Sequence, residues 1–204
     1  MTLTSGAVLR LLRSLIYTEL SAARGWDPTV PARWDGDATL RGGGLDFDSL
    51  ELLQVASRVS QFFRLNELGI DDYLLRGRRL ADWIELILDN RPEGTAYGLR
   101  TSGTTGEQKE VLHSEASLLR EVDALLSLFP GRQRVVALVP PHHIYGLLFT
   151  VLLPEHGGLP LLDAAWLWSS ASLDLQPGDL VVSQPDRWRY VATVVSSVPR
   201  DVEG

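Results

Sequence analysis

Cysteine is missing from the chain, and lysine occurs once, at Lys109, although lysine and arginine together number 19. The first absence excludes disulfides, zinc-thiolate sites and a catalytic thiol of the protein's own, so any thiol chemistry must arrive on an added group. Excess positive charge is missing as well. A formal net charge of -7 and a pI ≈ 5.1 argue against an electrostatic grip on nucleic acid or an anionic membrane, and leave small molecules and proteins as partners. Long hydrophobic runs are scarce. The first, "MTLTSGAVLRLLRSLIYTEL", is broken by Arg10 and Arg13 and lacks the core of a signal peptide, which makes a cytoplasmic location the expectation. The uncharged run from Val135 to Pro154 reaches the roughly 20 residues of a bilayer crossing. Its centre, Pro140, Pro141, His142 and His143, would leave missing donors and unpartnered imidazoles in a lipid-buried helix. A strand, a loop and a core helix are expected there, without membrane insertion.

What is present suits globular domains with real cores: 45% of the residues are hydrophobic and 22% charged. From Ser5 to about Asn90 the pattern is helical. Leu9, Leu12, Ile16 and Leu20 recur at helical spacing, and a loop with two prolines and four glycines follows between Trp26 and Gly44. Asp48 then caps a second helix whose apolar face is Leu52, Val55, Ala56, Val59 and Phe63, with Glu51 completing a capping box. A short helix is expected near Ile70 to Leu75, and a last one at Leu80 to Leu88 turns Leu80, Trp83, Ile84 and Ile87 inward. After "DNRPEGTAYG" short apolar runs alternate with amphipathic helices, the pattern of a parallel sheet. Strands are expected at 96–100, 134–139, 159–162 and 180–183, and helices at 115–129, 144–153 and 186–195, with no closing strand after the last helix.

Asp48, Ser49 and Leu50 open the second helix of a four-helix order, and in this the first region resembles the acyl carrier protein family. The resemblance implies 4'-phosphopantetheine esterified to Ser49, attached by a phosphopantetheinyl transferase, with acyl-chain-processing enzymes as further partners. The position agrees physically, because a first-turn serine offers a phosphate the free N–H groups and positive end of the helix. By itself, a serine beside a capping aspartate is a common arrangement without function. Asp46 stands where that family usually has glycine.

"TSGTTGEQK" is neither a P-loop, whose lysine directly follows the second glycine, nor a dinucleotide fingerprint. Together with "VPPHHIYGLLFTVLLP" it resembles the adenylate-forming acyl and aryl acid ligases, whose phosphate loop reads T-S-G-[ST]-T-G-x-P-K-G. Thr101, Ser102, Gly103, Thr104, Thr105, Gly106 and Lys109 match. Glycines allow close backbone approach, while hydroxyls, N–H groups and the lysine surround the ATP phosphates and stabilise departing pyrophosphate. Gln108 and Glu110 replace the family's proline and second glycine. Glu110 either brings a carboxylate close to the phosphates or points away on the following strand. In "PPHHIYG" the resemblance implies an acyl pocket with His143, Tyr145 and Gly146, His143 lying near the substrate carboxylate as the candidate catalytic residue. The adjacent His142 and His143 do not make a metal site, since side chains one apart rarely face one ion.

The expected architecture is a small all-α four-helix carrier-like domain at residues 1–90, a linker at 91–95 and, at 96–204, an α/β domain with a mainly parallel sheet. The last is read as the N-terminal portion of an AMP-forming ligase domain. The resemblance implies ATP- and Mg-dependent activation of a fatty or aromatic carboxylic acid as acyl-adenylate, then loading onto the carrier's phosphopantetheine thiol. The alternative is a non-catalytic acyl carrier or docking protein with a degenerate ligase-like subdomain. The family's adenine-binding turn, ribose-binding aspartate and catalytic-lysine domain are not found, so the chain is expected to be part of a longer enzyme and inactive alone.

Overall fold

A computed structural model of the chain describes residues 2–92, 94–101, 109–166, 173–194 and 198–204. Their contacts divide into two compact units, Met1–Ser117 and Leu118–Gly204.

In the first unit, α1 (Ser5–Arg24) begins where the Thr4 hydroxyl accepts from Ala7 N and ends at Gly25 in the left-handed conformation. Its buried stripe includes Val8, Leu11, Leu12, Leu15, Ile16 and Leu20. It also takes in Arg10, while Leu9, expected inside, is only half-buried. α2 (Ser49–Phe63) and α3 (Leu80–Asn90) both pack on α1, and the inward residues expected of them are buried. The short helix expected near residue 70 is a 3-10 turn, Asp71–Arg76, following another at Leu65–Leu68. Trp83 is fully buried and donates its indole N–H to Leu74 O at 2.7 Å, tying α3 to that turn.

The unit also holds an antiparallel ribbon, β1 (Tyr97–Thr101) and β2 (Lys109–His113). β2 is not among the four strands expected, because from Lys109 to Leu112 its residues are exposed and carry no burial pattern. A lone ribbon is marginal in water. This one is held because Tyr97 and Leu99 are buried and Tyr97 meets Phe62 edge-on, ring centroids 5.7 Å apart. The helices' core thus runs on into the ribbon, and the contacts divide after Ser117 rather than at the expected 91–95 linker.

α4 (Glu115–Leu128) begins at the end of the first unit and continues into the second. There β3 (Arg134–Ala137), β4 (Leu161–Asp163) and β5 (Asp179–Val182) form a sheet in the order β4-β3-β5, parallel as the alternating pattern predicts, but without the strand expected at 96–100, which pairs antiparallel with β2 in the first unit. Central β3 and edge β5 are nearly continuous buried apolar runs, the composition of a sheet covered on both faces. The run from Val135 to Pro154 is a strand, a turn and a helical stretch: α5 (Ile144–Leu147), a π turn (Leu148–Leu152) and α6 (Leu153–Gly157). Pro154 has no N–H for the carbonyl four residues back, and the ladder widens to a π turn just before it. Among the described residues no helix is long and apolar enough to cross a membrane. α7 (Pro185–Val194) follows β5. Among the described residues no strand follows α7, but Leu180 and Glu203 form an isolated parallel bridge, with Val181 N donating to Glu203 O at 2.7 Å.

Candidate functional site

The ribbon fixes the two ends of the threonine-rich segment. Thr101 and Lys109 are register partners, the last residue of β1 and the first of β2, so antiparallel pairing holds them roughly 5 Å apart. Lys109 is exposed. Ser102, Gly103, Thr104, Thr105, Gly106 and Gln108 lie outside the described residues.

Charges missed in the sequence fasten this ribbon to α1 and α2. Arg58, only 3% exposed, donates to Gly98 O at 3.4 Å and faces Glu19 across 3.6 Å. Burial, and then the like charge of Arg100, push the Arg58 guanidinium down to about 10. Arg100, next to Thr101, reaches Glu19 Oε1 at 3.0 Å and Gln61 Oε1 at 3.1 Å. Glu19 thus serves two guanidiniums. The sequence did carry a signal: Arg58 stands three residues after Val55 and four before Phe62, an arginine at an apolar spacing. Glu110 turns to Arg64 Nη1, 3.3 Å away. That matches the expectation in which Glu110 points away on the following strand.

In the second unit, β3 runs out into Pro140 and Pro141, and His143 is the N-cap residue of α5. His142 is buried and His143 exposed, their rings 3.9 Å apart. Tyr145 is partly exposed and stacks at 4.8 Å on Phe149, and burial raises its phenol above the ordinary value. Gly146 is fixed by sterics, since a Cβ there would lie 2.9 Å from Pro140 C, 3.0 Å from Pro141 Cα and closer still to Pro140 O. The turn places His143 and Tyr145 together at the carboxyl end of the central strand, where open parallel sheets bind ligands. No three His, Asp or Glu side chains among the described residues are grouped to hold a metal.

Ser49 is the exposed first residue of α2. The capping box expected at Asp48 is complete: its carboxylate accepts from Leu50 N and Glu51 N at 2.8 Å each, and Glu51 accepts from Asp48 N at 2.9 Å. Arg24 bonds Glu51 and the carbonyls of Leu45 and Asp46, and its hydrogen bond holds Glu51 below the ordinary carboxylate range. Asp46 has φ 49°, the backbone that glycine would adopt more easily.

Comparison with known proteins bears on both motifs at once. The chain is 38% identical over 191 residues to a 4-coumarate–CoA ligase of Halorhodospira halophila, covering 93% of this chain and 49% of that protein. It is equally 38% identical over 205 residues to a 4-coumarate–CoA ligase of Rhodobacter capsulatus, covering 94% of this chain and 53% of that protein. The chain thus spans about half the length of the curated relatives it matches. No solved structure matches it. The family model described as AMP-binding enzyme matches residues 49–162, from the first residue of α2 through the hairpin and the proline turn to β4. With more than half of its residues inside that match, the chain belongs to the AMP-binding enzyme family.

Proposed function

We propose that the chain is part of an AMP-forming acid–thiol ligase that activates an aromatic carboxylic acid and transfers the acyl group to coenzyme A. In the first step a carboxylate oxygen attacks the α-phosphorus of ATP, forming the acyl-phosphate bond and releasing pyrophosphate. In the second a thiolate attacks the acyl carbon and AMP leaves. The observation that carries the reading is the register pairing of Thr101 with Lys109, the chain's single lysine, at the two ends of a threonine- and glycine-rich segment whose residue types suit phosphate. Thr101, Ser102, Gly103, Thr104, Thr105, Gly106 and Lys109 are assigned to the β and γ phosphates of MgATP. His143 is assigned to the substrate carboxylate, Tyr145 and Gly146 to the acyl pocket. The names of the relatives make 4-coumarate the first acid to try. Acid-dependent exchange of labelled pyrophosphate into ATP by the complete protein tests the reading. Exchange that requires 4-coumarate or a related acid is expected; none with any aromatic or fatty acid would refute it.

One observation favours a second acceptor, a phosphopantetheine thiol on Ser49 of a carrier-like region 1–90: that serine is exposed at the first turn of a fully capped helix. Weighing against it, the core of the helices continues into β1, and the family match starts at Ser49 itself. We therefore place coenzyme A first. Incubation with coenzyme A and a phosphopantetheinyl transferase, followed by intact mass, separates the two. An unchanged mass is expected, and a pantetheine adduct lost in Ser49→Ala would install the carrier reading instead.

A further inference from the structure

Glu110 puts a negative charge one residue from the lysine assigned to phosphate. Side chains alternate along a strand, so Glu110 lies on the face of β2 opposite Lys109 and shares it with its register partner Arg100. There its Oε1 meets Arg64 Nη1 at 3.3 Å, and Arg64 also pairs with Glu67. Arg64 is the C-cap of α2 at φ 60°, a conformation that glycine takes without steric cost and arginine does not. Gly98 supplies the room: a Cβ on it would lie 2.5 Å from the Gln61 carbonyl oxygen and closer still to Glu110 Oε1. The Glu110 carboxylate thus occupies the space that a side chain at position 98 would need.

We propose that Arg64 and Glu110 form a latch that holds the Lys109 end of the hairpin on the C-terminal end of α2 and turns the Glu110 charge away from the phosphates. Both are positioning residues, and the inference rests on the assignment of Lys109 to phosphate. The two halves of the latch are unequal. Losing Glu110 removes an attraction; losing Arg64 removes the same attraction and also leaves a carboxylate, one residue from Lys109, without its Arg64 partner.

Steady-state kinetics of the complete protein with 4-coumarate test this asymmetry. Arg64→Gln should raise the KM for ATP about tenfold and Glu110→Gln about threefold, with kcat within about twofold of wild type, and the double variant should match Glu110→Gln. Unchanged KM in Arg64→Gln, or a double variant worse than either single one, would overturn the latch. If the wild-type protein activates no acid, the functional reading has failed, and amide hydrogen exchange of the chain decides the latch separately. Arg64→Gln should then speed exchange at Val111 to His113 while leaving α1 and α3 unchanged; unchanged exchange in the ribbon rejects the latch.

Discussion

The hairpin of the first unit and the proline turn of the second each present candidate site residues, but they are fastened by different forces. The hairpin is a two-stranded ribbon anchored through Tyr97 and Leu99 and guyed by Glu19, Arg58, Arg100, Arg64 and Glu110. The turn after β3 is wedged by close packing of Gly146 on the backbone of Pro140 and Pro141. In the second unit an ion pair of Arg134 with the buried Asp179, at 2.7 Å, lies at the opposite ends of the strands, where β3 and β5 begin. Charge therefore governs the hairpin and volume governs the proline turn, and changes of each kind should act on one and spare the other.

The largest effect should come from Glu19→Gln, which keeps the shape but leaves Arg58 buried without its paired carboxylate. Removing one partner of a buried pair costs roughly 3–5 kcal/mol, and partial exposure of Arg100 sets the expectation near the lower end. Urea denaturation measures it, and a loss below about 1 kcal/mol would mean that the ribbon is held by Tyr97 and Leu99 alone. Next, Gly146→Ala should cost about 2–3 kcal/mol by overpacking against Pro140, with hydrogen exchange accelerated in α5 and unchanged in β1. A smaller effect is expected from 1 M salt, where the screening length falls to about 3 Å. Exchange should quicken in β1 and β2 and not in α5; equal response in both would dissolve the contrast. The smallest concerns the Glu51 carboxyl, depressed mainly by its hydrogen bond to Arg24. A depressed folded pKa means that the stability it adds is fully present above the ordinary carboxylate value of about 4.3 and is lost as pH falls through the lower folded value. Glu51→Gln should remove that part of the acid sensitivity, read from melting curves across pH 2 to 6, a range of roughly four units about that value.

How far the sequence announced all this follows the same division. Packing leaves a period, and so α2 with its capping box, the stripe of α3 and the parallel strands Arg134–Ala137 and Asp179–Val182 were all legible. β2 was not, because a strand whose residues from Lys109 to Leu112 are exposed repeats nothing. The continuation of the helical core into Tyr97 and Leu99 was hidden for a related reason: two buried residues in a five-residue strand look the same whether they open a new domain or complete an old one. Of the candidate site, the residue types at Thr101, Lys109, His143 and Gly146 were readable as motifs. The pairs that fasten the ribbon carrying Thr101 and Lys109, Arg58 with Glu19 and Arg64 with Glu110, are 39 and 46 residues apart in sequence, and no local pattern links such pairs.

The central claim, that the hairpin grips the phosphates of ATP, can be tested without turnover because the chain has one lysine. An amine-reactive label has two targets, Lys109 and the N-terminal amine, and peptide mapping resolves them. Millimolar MgATP or pyrophosphate is predicted to protect Lys109 while the N-terminus continues to react at its usual rate. Labelling of Lys109 that stays unchanged at saturating nucleotide would contradict the account.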